Sequence, residues 1–118
     1  MRIRFKGTSE YSIPITQGAS RLREGREYSV LEVFSIADGE NLFRFETVRD
    51  ETPGLYDSRL FEVVDGRIPP HWVISVKTRG EITLGPPGWG APGFWDAFFD
   101  GEPWAITLYQ SEKNKSLE

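Results

Sequence analysis

The sequence predicts a mainly β domain: a small barrel over about residues 1–85, then a Gly/Pro loop and one or two short helices within about 92–112. Three observations predict it. The 118 residues include 12 Gly and 8 Pro, a supply of turn residues that favours many short strands over a helical bundle. Apolar and polar residues alternate repeatedly in the first part, the period of a half-buried strand. After the stretch Gly85-Pro86-Pro87-Gly88-Trp89-Gly90-Ala91-Pro92-Gly93 the spacing changes, and Phe94, Trp95, Phe98 and Phe99 mark one side of a helix.

The elements follow in order. Ile3 and Phe5 alternate with Arg2, Arg4 and Lys6, so the chain opens with a strand. Glu27–Ser35 holds apolar residues on both faces, as a central strand does, and pairs as a hairpin with Leu42–Val48 around Asp38-Gly39. Thr52-Pro53-Gly54 is a turn, and Arg49 to Asp57 reads as a polar loop. Arg59 to Val64 is a strand ending at Asp65-Gly66. Ile68-Pro69-Pro70 is a bend, because neither proline can donate to a ladder. His71–Lys77 and Glu81–Leu84 are strands joined at Arg79-Gly80. Pro92 and Asp100-Gly101 punctuate a helix over the aromatic run. Pro103 to Glu112 fits helix or strand; we read helix, with Pro103 at its first position. Lys113 to Glu118 is polar and expected to fray.

Length and pattern make residues 1–118 one domain. There are 18 acidic and 14 basic residues, a net charge of −4 that disfavours binding through nucleic-acid phosphates. Arg21, Arg23 and Arg26 are the only basic cluster, and they lack interleaved aromatics for base stacking. Cysteine is absent, so no disulfide, thiolate metal site or thiol nucleophile exists. The N-terminal residues lack the apolar core of a signal peptide, and no run has the roughly 20 apolar residues of a membrane helix. A cytoplasmic protein without membrane contact is expected.

Catalysis finds few candidates. His71 is the one histidine, and no Gly-x-Ser-x-Gly elbow accompanies it. The glycines of the 85–93 loop lack the Lys-Ser/Thr of a phosphate loop. Asp96 and Asp100, four residues apart, share a helix side; paired carboxylates can divide acid and base roles, but an exposed acidic edge is the simpler reading. No catalytic residue, metal ligand or cofactor is assigned, and the protein is expected not to be an enzyme.

Binding finds more. Trp72, Trp95 and Trp104 sit in apolar patterns and are expected in the core. Trp89 stands between glycines, either as a rigid anchor for a partner or as a lid folded over the barrel end. Tyr56 beside Asp57 combines a ring with a carboxylate, a pairing suited to a basic protein surface. Tyr56, Asp57, Trp89, Asp96 and Asp100 are therefore the expected partner-binding residues.

The stretch Gly66-Arg67-Ile68-Pro69-Pro70-His71-Trp72-Val73 is similar to the end of an SH3 domain, where a Gly-x-Ile-Pro-x-x-Tyr-Val segment turns into the last strand. Glu24-Gly25-Arg26-Glu27-Tyr28-Ser29-Val30-Leu31 resembles the entry to an SH3-like barrel strand. The resemblance spans Leu22 to Val76. Trp72 stands where a groove tyrosine is usual, and the aromatic motif that opens signalling SH3 domains is absent. The chain looks more like the compact SH3-like proteins of bacteria. That resemblance implies a protein-binding module of the immunity type, which binds a cognate, basic toxin domain and blocks it. The alternative is a small structural or regulatory domain that forms a homodimer through its aromatic C-terminal part.

Overall fold

The computed structural model describes residues 1–7, 19–37 and 39–117. Among these residues eight strands, β1 (Arg2–Phe5), β2 (Glu27–Ser29), β3 (Glu32–Ser35), β4 (Asn41–Phe45), β5 (Gly54–Asp57), β6 (Phe61–Asp65), β7 (Val73–Val76) and β8 (Ile82–Gly85), precede two α-helices, α1 (Phe94–Phe99) and α2 (Pro103–Leu117). The fold is mainly β with two short C-terminal helices, as the sequence predicts. Every strand pair among the described residues is antiparallel. The strands form two sheets, ordered β2-β1-β6 and β5-β4-β3-β8-β7, which do not close into a barrel.

The break at Val30-Leu31 organises the layers. The expected strand Glu27–Ser35 is two strands, with β2 in the small sheet and β3 in the large one. Val30 and Leu31 enter different cores. The first core lies between the sheets and includes Ile3, Phe5, Tyr28, Phe45, Leu60 and Trp72. The second includes Leu31, Trp89, Phe94, Ala97, Ala105 and Tyr109, under the helices. The order of layers is small sheet, large sheet, helices.

Local chemistry explains the elements. Ile3 and Phe5 are buried while Arg4, on the outer face of β1, reaches Glu27 at 3.2 Å and Glu62 at 2.7 Å on its two neighbours. Leu55-Tyr56-Asp57, expected in a loop, is strand β5, because β4 supplies a partner for each residue. Helix α1 ends where Gly101 takes φ of 79°; the Gly101 N–H donates to the Phe98 carbonyl and the Glu102 N–H to the Ala97 carbonyl, closing the last turn. The Glu102 carbonyl then accepts from Ala105 and Ile106, with Pro103 as the first residue of α2.

Helix α2 continues to Leu117, so the expected fraying from Lys113 does not occur over the described residues. Lys113 is buried, and its Nζ donates to Asp50 Oδ1 at 2.8 Å and Glu46 Oε2 at 3.2 Å. The Ser116 hydroxyl accepts from Trp72 Nε1 at 3.0 Å. The turn expected at Asp38-Gly39 involves Asp38, outside the described residues; around it the Ile36 N–H donates to the Glu40 carbonyl at 2.7 Å.

Candidate functional site

The five residues expected to meet a partner are not brought together on one exposed surface. Trp89 is 1% exposed, so a partner has no access to its ring. It stacks on Tyr109 with centroids 5.0 Å apart and meets Trp95 edge-on at 5.3 Å. The lid reading describes this placement: Trp89 folds inward and centres the second core. Close approach of its loop requires glycine, since a Cβ on Gly90 would lie 2.8 Å from Ser75 Oγ.

Asp57 is also buried, at 7% exposure. Its carboxylate accepts from the Arg59 backbone N–H at 2.9 Å and pairs with the Arg59 guanidinium at 2.7 Å. The Arg59 side chain holds the Asp57 carboxyl below the ordinary range. This carboxylate caps a 3-10 turn at Ser58–Leu60 and is spent on its own chain. Tyr56 is half-buried and stacks on Phe45 at 4.7 Å, completing the first core. Asp96 on α1 and Asp100 at its C-cap do stand exposed, joined through the Asp100 N–H to the Asp96 carbonyl.

Those two carboxylates belong to a corner whose aromatic members the sequence pattern assigned to the core. Phe99, the last residue of α1, is 55% exposed. Trp104, in the first turn of α2, is also 55% exposed. Between them lie Asp100, Gly101 and Glu102. Trp104 Nε1 donates to Glu102 Oε2 at 2.8 Å, which orients the ring beside a carboxylate. From Gly80 to Glu112 the chain carries five acidic residues and no basic one. Asp96, Asp100 and Glu102 form no ion pair with any described residue. The corner is therefore two rings flanked by Asp100 and Glu102, which no described cation pairs with; Asp96 faces the recess that holds Lys77 and Arg79. The sequence signal for Trp104 was its setting, Glu102-Pro103-Trp104, at a helix start where one turn lacks a preceding turn to cover it.

A second polar feature lies under the helices. Glu32 and Arg44 are cross-strand neighbours, both buried, with Arg44 Nε donating to Glu32 Oε1 at 2.9 Å. Burial raises the Glu32 carboxyl, with Arg44 opposing it, and burial lowers the Arg44 guanidinium, with Glu32 opposing that. Arg44 also lies 3.7 Å over the Trp95 ring, so its charge meets a π face as well as a carboxylate. Beside the pair opens a recess of about 290 Å³, with Lys77 and Arg79 on the sheet side and Asp96 on the helix side.

His71 meets two groups of α2: Ser116 Oγ at 3.3 Å and Glu112 Oε2 at 3.6 Å. Both approach the same nitrogen, Nε2. A nucleophile–base–acid relay needs them on opposite ring nitrogens. The geometry instead ties the end of α2 to the start of β7.

Among the described residues no group of three or more His, Asp or Glu is placed to hold a metal ion. No helix among them is long and apolar enough to cross a membrane. Comparison with protein-family models, with curated proteins and with solved structures finds no match to this chain.

Proposed function

We propose that the protein is a non-catalytic protein-binding module whose contact surface is the α1–α2 corner and whose partner presents a basic surface. The observation that carries this reading is the exposure of Phe99 and Trp104 beside Asp100 and Glu102, which have no basic partner among the described residues. An exposed ring offers area that a partner can desolvate, and flanking carboxylates steer and pair with lysine and arginine. An immunity-type protein, cytoplasmic and blocking a basic toxin domain, is the form of this reading that the SH3-like resemblance and the net charge of −4 favour.

The test is capture of a partner from the source lysate on tagged chain, run beside Trp104→Ala and Asp100→Lys. The proposal expects a stoichiometric basic protein that binds the parent, elutes as salt rises and is lost from both variants. A partner retained equally by both variants overturns it.

A further inference from the structure

The large sheet ends in an edge that no strand among the described residues covers. Across the ladders Val33, Leu84 and Ile74 share one face, as do Ser35, Ile82 and Val76. Val33 and Leu84 pack on the first core, so this is the face that the small sheet covers. The cover stops short of β7. Ile74 is 67% and Val76 69% exposed, and Ile82 beside them is 42% exposed. The core face thus continues past its lid as three branched apolar side chains in water.

Among the described residues the backbone is unpaired at the same place: β7 is the last strand of its sheet and pairs with β8 alone. The Lys77 N–H donates to the Glu81 carbonyl at 2.7 Å, which makes 77 and 81 a hydrogen-bonded pair. Bonded pairs recur at every second residue of an antiparallel ladder. Val73 and Ser75 therefore bond to β8, and the N–H and C=O groups of Ile74 and Val76 point to the free edge. Natural edges are usually blunted by proline, bulges or charge; this four-residue edge has none within it.

Charge selects the occupant. Lys77 follows Val73 and Ser75 onto the opposite face, where it lines the recess with Arg79; Glu81 and Asp96 line that recess too, but Glu81, paired with Lys77 across the ladder, stands one strand further from the free edge and Asp96 lies on α1. Neither cation forms an ion pair with a described residue. A strand laid along β7 would place alternate side chains beside Ile74 and Val76 and the others beside Ser75 and Lys77. We propose that the free edge of β7 accepts, by strand addition, an extended segment of a partner protein in which apolar and acidic residues alternate. The main-chain bonds to Ile74 and Val76 give affinity, and Lys77 with Arg79 selects acidic over basic segments. This surface is distinct from the α1–α2 corner and opposite to it in charge preference.

Two synthetic peptides serve as probes, one alternating valine with glutamate and one alternating valine with lysine, titrated by fluorescence anisotropy. The glutamate peptide should bind and the lysine peptide bind at least about tenfold more weakly, a gap of ~1.4 kcal/mol. Val76→Pro removes an outward N–H that no ladder uses, a place where an edge strand tolerates proline; it should keep the melting temperature near the parent's and abolish binding. Lys77→Glu, which leaves the edge backbone intact, should reverse the peptide preference. Equal binding of both peptides, no binding of either, or unchanged binding to folded Val76→Pro overturns the proposal. Sedimentation of the free chain adds one outcome: a dimer that Val76→Pro dissolves would assign the edge to a second copy and overturn it too.

Discussion

Arg44 lies with its guanidinium 3.7 Å from the centre of the Trp95 ring, and this contact joins the large sheet to α1. The same guanidinium holds Glu32 at 2.9 Å in a buried cross-strand pair. Removing one member strands the other. Arg44→Ala should cost about 3–5 kcal/mol by leaving a buried carboxylate uncompensated. Replacing the pair together, Glu32→Leu with Arg44→Met, should cost far less, since apolar groups of similar volume need no partner. Urea unfolding of the two singles and the double in one cycle checks this.

Trp89 is predicted to matter to folding and not to recognition. It fills the centre of the second core between Tyr109, Phe94 and Trp95. Trp89→Ala should cost about 3–5 kcal/mol. Trp89→Phe keeps a ring there and should stay folded with partner binding unchanged. Denaturation midpoints and affinities of the two variants separate the roles.

Exposure reverses the expectation at the corner. Trp104→Ala and Phe99→Ser remove rings that water already reaches, so each should change stability by no more than about 0.5 kcal/mol. Each should nonetheless weaken partner binding, by about 2 kcal/mol if the ring is an anchor of the interface. Thermal melts beside titration calorimetry would show the split.

Stability should fall at both ends of the pH scale for different reasons. Lys113 hydrogen bonds hold the Asp50 carboxyl low, and Arg59 and Arg67 hold those of Asp57 and Asp65 low. A depressed carboxyl stabilises the fold above its unfolded pKa, about 3.9, and loses that contribution as pH falls through its lower folded value. Burial, reinforced by Glu46, raises the Tyr109 phenol. Burial pulls the Lys113 ammonium down, but Asp50 and Glu46 outweigh it and the net shift is upward. Groups raised in the fold contribute fully below their unfolded values, about 10 for both, and the contribution is lost as pH rises through the folded ones. Melting temperature should therefore decline at both extremes, and Tyr109→Phe should flatten the alkaline decline.

Local pattern made the frame legible. The alternation around Ile3 and Phe5, the prolines at 69 and 70 and the aromatic spacing of α1 each act within a few residues. What escaped depends on partners distant in the chain. Leu55-Tyr56-Asp57 reads as a turn until β4 is beside it. Lys113 reads as a polar tail until Glu46 and Asp50 approach. Helical spacing brought Phe94 and Phe99 onto one stripe, yet α1 has six residues and α2 covers only part of it, so Phe94 is buried and Phe99 is not. The exposure of Asp96 and Asp100 is legible because charge on a short helix facing water needs no tertiary partner. Trp89 stays open between anchor and lid in the sequence because Tyr109, on another element, is what encloses it; Asp57 is the local exception, held by Arg59 only two residues on.

The most direct measurement of the central claim is hydrogen exchange on the chain with and without the partner captured from its source. Slowed exchange should map to the backbone from Phe99 to Ile106, and it should vanish when Asp100→Lys replaces the parent. Slowed exchange confined to β7, or to the strands of the small sheet, would contradict the assignment of the α1–α2 corner as the contact surface.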